Sequence, residues 1–146
     1  MKLWKKQEKQ WQGTWLKNRQ MNRAFIDSNI IIRLVIKDSP AQLIKSKEII
    51  ERIEGSKTQG ILSILVVNEI VWILEHFYDL ERNEFIPPLL SLLALKNIKI
   101  LEVKKDVLIN VLQKMQKSKI DLTDIYLAEV AAGSKIFSFD RDFKKL

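Results

Sequence analysis

The sequence contains no cysteine and only one histidine, His76, in 146 residues. Without cysteine, disulfide scaffolds, thiolate zinc sites and cysteine nucleophiles are excluded. A single histidine also excludes ribonuclease chemistry that needs two imidazoles. No nucleophile pattern accompanies His76, so we expect it to lie at the surface or in an interface. Any hydrolytic chemistry in this chain would therefore depend on carboxylates.

Glycine and long apolar runs are scarce as well. The four glycines stand apart from one another, so the chain has no glycine-rich loop for binding a nucleotide. The longest apolar stretch, residues 61–74, is interrupted by Ser63, Asn68 and Glu69 and is too short and too polar to cross a bilayer. No secretory apolar segment comes before it, so we expect a cytoplasmic protein without a membrane span.

Positive charge is concentrated at the start of the chain. Lysine and arginine number 25 against 18 acidic residues, which gives a net charge of +7. Residues 1–23 hold seven of these cations and one acid, or +6, and the rest of the chain holds 18 cations and 17 acids, or +1. We therefore divide the chain into a basic extension with three tryptophans, residues 1–22, and a folded domain, residues 23–146. Nucleic-acid binding by that domain needs a defined site, because its net charge does not support it.

Short buried strands alternate with amphipathic helices from residue 23 onward. This pattern is typical of an α/β domain whose parallel sheet is covered by helices on both faces. The prolines at 87–88 should break or restart the helix in which they fall. We predict strands over 24–26, 61–62, 97–103 and 135–139, and helices over 28–36, 40–54, 64–77, 81–95, 107–115 and 121–132.

Two acids directly follow predicted strands, Asp27 after the first and Asp140 after the last. Ligands of open parallel sheets gather outside the carboxyl ends of the strands, so both acids are expected at one edge of the sheet. Each also has an ordinary structural interpretation: Asp27 could cap the following helix, and Asp140 could belong to a polar turn.

Three further acids lie on predicted helices. Glu69 belongs to a helix that is apolar nearly all round, so we expect it to be either salt-bridged or functional, because a lone buried carboxylate is costly. Asp121 and Asp124 stand three residues apart at a helix start, where both benefit from the helix dipole. Asp121 is interpreted as part of a capping box, and Asp124 is the better candidate to face the strand ends.

Carboxylates that converge without basic partners repel one another, each close pair by about 1 to 4 kcal/mol. A divalent cation removes this repulsion, and oxygen ligands without histidine or cysteine select Mg²⁺ or Mn²⁺ over zinc. Such a site typically supports the hydrolysis of phosphodiester bonds.

The order of these residues resembles the PIN-domain nucleases, and within them the VapC-like toxins of toxin–antitoxin pairs. The resemblance runs from about residue 23 to residue 146. Its four motifs are Phe-Ile-Asp-Ser-Asn at 25–29, Ser63 followed six positions later by Glu69, the segment 121–128, and the segment 137–143.

This resemblance implies a three-layer α/β/α fold with a short central parallel sheet. It also implies an endoribonuclease that depends on Mg²⁺ or Mn²⁺, acts on RNA, forms a homodimer and is plugged by the tail of a cognate antitoxin. The catalytic and metal-binding positions are Asp27, Glu69, Asp124 and Asp140, and the supporting positions are Asn29, Asp121, Ser138 and Asp142.

Two other functions remain open. A catalytically silent PIN-like module could bind RNA or a protein, although the presence of all four acids argues against it. A DNA-directed nuclease of the wider PIN group is disfavoured, because the chain lacks the long inserted arch of those enzymes.

Overall fold

The computed structural model describes residues 22–146, so the predicted extension lies outside the described residues except for Asn22. The strands of this part of the chain are β1 (Arg23–Phe25), β2 (Gln59–Leu62) and β3 (Ile98–Ile100). Its α-helices are α1 (Ser28–Ile36), α2 (Pro40–Glu54), α3 (Ile64–Trp72), α4 (Arg82–Leu93), α5 (Lys105–Gln116) and α6 (Leu122–Ala131). A π-helical turn, Ile73–Phe77, extends α3, and a 3-10 turn, Arg141–Lys145, follows later.

The three strands form one parallel sheet in the order β1-β2-β3. Phe25 stands opposite Ile61, which in turn stands opposite Lys99. The first ladder continues beyond β1, since the Ile26 N–H donates to the Ile61 carbonyl at 2.9 Å. The predicted α/β class and parallel sheet are confirmed. Because parallel strands end at the same edge, the residues that follow them are brought side by side.

One face of the sheet packs against α2 at very close range. A Cβ atom on Gly60 would lie 2.8 Å from Ile98 Cδ1 and 2.9 Å from Ile26 Cδ1, with Ile53 of α2 only slightly further away. A larger residue at this position would have to displace the ends of these isoleucine side chains, so the constraint on Gly60 is one of space rather than of backbone geometry. Around this contact lies a single core in which Leu62, Ile70, Phe85, Leu108, Met115 and Ile125 are buried.

The start of α1 and both ends of α2 lie at signals that are visible in the sequence. Asp27 caps α1, and Pro40 occupies the first turn of α2 directly after Ser39. Gly55 is the C-cap residue of α2 and its N–H donates to the Glu51 carbonyl at 2.8 Å. These local signals explain the predicted start of α1 and both predicted bounds of α2.

The predicted fourth strand, residues 135–139, is wrong. This segment has no strand pairing, and Phe137 and Phe139 are both fully exposed. The chain turns directly after this segment, where Ser138 Oγ accepts the Asp140 N–H at 2.9 Å. A strand here would need a partner from a distant part of the chain, and none pairs with it among the described residues.

The predicted break at Pro87 and Pro88 is also wrong, because α4 continues through both prolines. The prolines deprive the carbonyls of Asn83 and Glu84 of their helical donors, but both of these residues are exposed, so water can take the place of the donors. The opposite side of the helix is held in the core by four buried residues: Phe85, Ile86, Leu89 and Leu93. None of the helices between residues 22 and 146 is long and apolar enough to span a membrane.

Candidate metal centre

Three carboxylates converge beside the start of α6. Asp124, Asp140 and Asp142 each offer one oxygen, and these oxygens lie within 4.8 Å of one another. Asp124 belongs to the first turn of α6, whereas Asp140 and Asp142 come from the beginning of the 3-10 turn. The structure thus brings together two of the four predicted metal ligands and one of the supporting acids.

Local hydrogen bonds fix the two acids of the 3-10 turn. Asp140 Oδ1 accepts the Asp142 N–H at 2.8 Å, and the Asp140 N–H is held by Ser138 as described above. Lys145 Nζ donates to Asp142 Oδ1 at 2.6 Å, so one acid of the cluster is paired with a lysine of the same turn. Ser138, predicted to support the site, therefore acts on it by ordering the turn that carries Asp140.

The surroundings of Asp124 disfavour its charged form. Partial burial raises the pKa of this carboxyl above its usual range, and the negative charges of Asp140, Asp121 and Asp142 raise it further. A carboxylate cluster with this property is a natural place for a cation, because the cation removes both the repulsion and the cost of desolvation.

Asp27 lies outside this cluster of three and has a defined structural role. Its carboxylate caps α1, accepting the backbone N–H of Asn29 at 3.5 Å and the side-chain Nδ2 of Asn29 at 3.2 Å. The capping interpretation of Asp27 is confirmed, and the predicted supporting residue Asn29 is the partner that orients its oxygens. Since Asp27 is exposed at the carboxyl end of β1, the cap leaves its carboxylate accessible.

The expectation that Glu69 lies in an apolar environment is wrong. Its side chain is exposed, and no ion pair joins it to a cation among residues 22–146. The apolar side chains next to it in sequence include Leu65 and Trp72, which are 75% and 59% exposed and share the outer side of α3 with Glu69. Composition alone suggested burial all round, but only one side of this helix contacts the core. Glu69 also lies outside the cluster of three acids.

Asp121 occupies the N-cap position of α6 but makes no capping hydrogen bond through its side chain. It lies instead 3.8 Å from the Nη2 atom of Arg82. The capping-box interpretation of Asp121 is therefore wrong. The sequence predicted its position at the helix start, but its carboxylate faces a cation from α4 instead of capping its own helix.

Glu102 is a further acid at the edge of the sheet. Ser63 Oγ donates to Glu102 Oε1 at 2.5 Å, and the Ile64 N–H donates to Glu102 Oε2 at 2.8 Å, so this carboxylate holds the start of α3. Burial disfavours the charge, but these hydrogen bonds outweigh it and lower the pKa of Glu102 below its usual value. Glu102 lies inside the predicted strand 97–103, where it gave no signal of a role, whereas β3 ends at Ile100 and leaves Glu102 beyond the strand.

His76 is exposed, and its ring stacks on Trp72 with the centroids 5.1 Å apart. Its Nδ1 atom lies 3.1 Å from the Trp72 carbonyl oxygen. The prediction that His76 lies at the surface is confirmed. Among the described residues, the candidate metal ligands are therefore all oxygen donors.

The donor set suits a hard divalent cation. The cluster consists of three neighbouring carboxylates and contains no imidazole or thiolate. It therefore matches the ligands that Mg²⁺ and Mn²⁺ prefer.

Comparison with protein-family models finds one described as PIN domain, which matches residues 24–146. No curated protein and no solved structure matches the chain.

Proposed function

Because the chain belongs to the PIN domain family, whose members have a nuclease-type fold that typically uses divalent cations, we propose that it is a metal-dependent endoribonuclease. The observation that carries this proposal is the convergence of Asp124, Asp140 and Asp142 within 4.8 Å, with a raised pKa at Asp124. Family membership implies a nucleic-acid substrate. The carboxylate cluster supplies the kind of site that phosphodiester hydrolysis needs.

Asp124 and Asp140 would hold Mg²⁺ or Mn²⁺, and Asp142 would lie beside them. Asp27 and Glu69 would add further ligands from neighbouring elements. When bound, the cation supplies charge neutralisation and polarises a phosphate oxygen. The chain's own residues do the positioning. Asn29 holds the oxygens of Asp27, and Ser138 holds the turn that presents Asp140.

The choice of RNA as substrate rests on the resemblance of the four motifs to the VapC-like toxins. On the same ground we propose a cognate antitoxin that covers the acidic site, a homodimer and a cytoplasmic location. A DNA-directed nuclease is the second candidate, and the same assay distinguishes the two.

The assay uses the purified full-length chain with a structured RNA and a DNA of the same sequence. We expect RNA cleavage in Mg²⁺ or Mn²⁺, loss of cleavage with a chelator, and little cleavage of the DNA. Asp124→Asn should lower the rate by orders of magnitude. The control Asp106→Asn, which removes an exposed acid from the first turn of α5, should leave the rate unchanged.

Two results would contradict the proposal. Cleavage that persists undiminished in chelator would exclude metal-dependent hydrolysis. Equal rates for Asp124→Asn and Asp106→Asn would exclude the carboxylate cluster as the site. Preferential cleavage of the DNA would favour the second candidate.

A further inference from the structure

Arg82, the first residue of α4, is held in an unusually dense set of contacts. The two N–H groups of its Nη1 atom are shared among three backbone carbonyls, those of Met115 at 3.1 Å, Ser118 at 3.0 Å and Ile120 at 2.7 Å. All three belong to the last turn of α5 and the connection between α5 and α6. Arg82 therefore holds this connection from the start of a distant helix.

A second set of contacts orients this guanidinium. Its Nε atom donates to Glu75 Oε1 at 2.5 Å, and the side chains of both residues are only 17% exposed. Its Nη2 atom faces Asp121, the N-cap residue of α6. Glu75 belongs to the π-helical turn that extends α3. Arg82 therefore ties the end of α3 to the start of α6.

Only arginine can make this set of contacts. Its planar fork directs five donors at fixed angles, so one side chain can serve a carboxylate and several carbonyls at once. A lysine in its place keeps the charge but offers one nitrogen on a flexible stem. Arg82→Lys therefore removes the geometry and retains the charge.

The contacts bear directly on the carboxylate cluster. The connection held by Arg82 ends at Ile120, and Leu122 begins α6; both of these apolar side chains are buried on either side of Asp121. Asp124 follows within the first turn of α6, so the position of the connection determines where its carboxylate stands. Asp140 and Asp142 come from a different segment, and the distance to them depends on where α6 begins.

We propose that Arg82, oriented by Glu75, is a positioning residue for the metal site. It fixes the start of α6 and thereby sets the affinity of the Asp124, Asp140 and Asp142 cluster for a divalent cation. This inference rests on the proposed function, since it assumes that the cluster binds metal. Groups that hydrogen-bond a metal ligand typically change the affinity for the metal by about 10- to 100-fold when they are replaced. Arg82 acts through the backbone before α6, so its effect should lie at the lower end of that range.

The test compares Arg82→Lys and Glu75→Gln with Arg33→Gln in the full-length chain. Arg33 is a matched control, because it is another partly buried arginine, paired with Asp38 at 2.8 Å and with Tyr78 at 3.2 Å in a network that does not include α6. Mn²⁺ binding is measured directly by titration of the free ion. Thermal melts in the absence of metal report the stability of each variant, and RNA cleavage is measured across Mn²⁺ concentrations.

We expect Arg82→Lys and Glu75→Gln to raise the Kd for Mn²⁺ by about tenfold or more. Cleavage at saturating Mn²⁺ should recover to near the wild-type rate, because the ligands themselves remain. Arg33→Gln should lower Tm and leave the Kd unchanged. Glu75→Gln keeps the arginine but removes the charge that orients its guanidinium toward the carbonyls, so it carries the test if Arg82→Lys does not fold.

An unchanged Kd in the folded variants would overturn the positioning role while leaving the proposed function intact. A shift of the same size in Arg33→Gln would also overturn it, because the effect would then follow from lost stability. A wild-type protein that binds no Mn²⁺ would overturn the proposed function and this inference together.

Discussion

Asp124 is the carboxylate of the cluster whose charged form is disfavoured by burial and by the neighbouring acids. Partial burial and three nearby acids raise its pKa in the folded protein, whereas in the unfolded chain these influences are absent. Ionised Asp124 therefore lowers the stability of the metal-free protein at pH values above its folded pKa. The penalty is relieved as the pH falls through that value.

Asp124→Asn should accordingly raise the Tm of the metal-free protein at neutral pH while abolishing RNA cleavage. The gain should be on the order of 1 kcal/mol, because solvent screens much of the repulsion. It should shrink toward acid pH, where the wild-type carboxyl is itself protonated. Melts of wild type and Asp124→Asn across this pH range check the prediction, and a loss of stability at neutral pH would contradict it.

Substitutions at Asp27 can separate its role as a helix cap from its proposed role in metal binding. Asparagine is as good an N-cap as aspartate, whereas alanine at an N-cap costs about 1 kcal/mol. We therefore expect Asp27→Asn to keep the stability of wild type and Asp27→Ala to lower it, with both variants losing most of the cleavage activity. Melts and cleavage rates of the two variants test this. Full activity in Asp27→Asn would mean that Asp27 is a cap and nothing more.

Glu69 is a surface residue, so its replacement should have little effect on stability. An exposed side chain without an ion partner among residues 22–146 contributes within about 0.5 kcal/mol to stability. Glu69→Gln should therefore leave Tm almost unchanged and lower the cleavage rate if the carboxylate helps to hold the cation. A large drop in Tm would contradict the surface position of this side chain.

At the scale of elements, the start of α3 depends on Glu102. The folded pKa of this carboxyl lies below its unfolded value, so its contribution to stability is present above the usual carboxyl pKa and is lost as the pH falls through the lowered one. Glu102→Gln should lower the stability at neutral pH by about 1 kcal/mol, the size of a lost helix cap. Its melting curve should approach that of wild type in acid.

The matched control for Glu102 is Glu48→Gln, which changes an exposed glutamate of α2. This control should melt like wild type at every pH. A Glu102→Gln protein that also melts like wild type at neutral pH would show that the contacts to Ser63 and Ile64 do not stabilise α3.

The helices could be predicted where their signals are local. Asp27 caps the start of α1, Pro40 occupies the first turn of α2, and the Gly55 N–H bonds within the last turn of α2, so these three helix ends are marked by local sequence. The strand predicted over 135–139 failed because a strand needs a partner that local sequence cannot specify. The exposed side of α3 could not be predicted, because an apolar composition does not indicate which side of a helix packs against the core.

The candidate site divides in the same way. Asp124 was predicted from its position at a helix start, and Asp142 only through the family resemblance. Asp140 was predicted to follow a strand that the structure does not contain, yet these three acids do meet. What the sequence could not provide is the set of long-range contacts around them. Arg82 donates to the carbonyl of Ile120, 38 positions away and just before α6, and Ser63 donates to Glu102 across 39 positions.

For the whole molecule, the proposed metal site would link cation binding to folding. In the native state Asp124 meets the negative charges of Asp140 and Asp142, and a cation that binds only this state would offset that repulsion. The resulting stabilisation follows the ratio of free cation to Kd and amounts to about 2.7 kcal/mol when that ratio is 100. Wild-type stability should therefore depend on divalent cations, whereas a protein whose acids are only helix caps and turn residues should be indifferent to them.

The most direct measurement is the Tm of wild type and Asp124→Asn during titration with Mn²⁺, with Ca²⁺-free buffer and chelator as the starting point. We predict that Mn²⁺ raises the Tm of wild type in a saturable manner and leaves that of Asp124→Asn unchanged, so that the metal-free order of the two proteins is reversed. A wild-type Tm that does not respond to Mn²⁺, or an equal response in Asp124→Asn, would contradict the claim that these carboxylates form a metal centre.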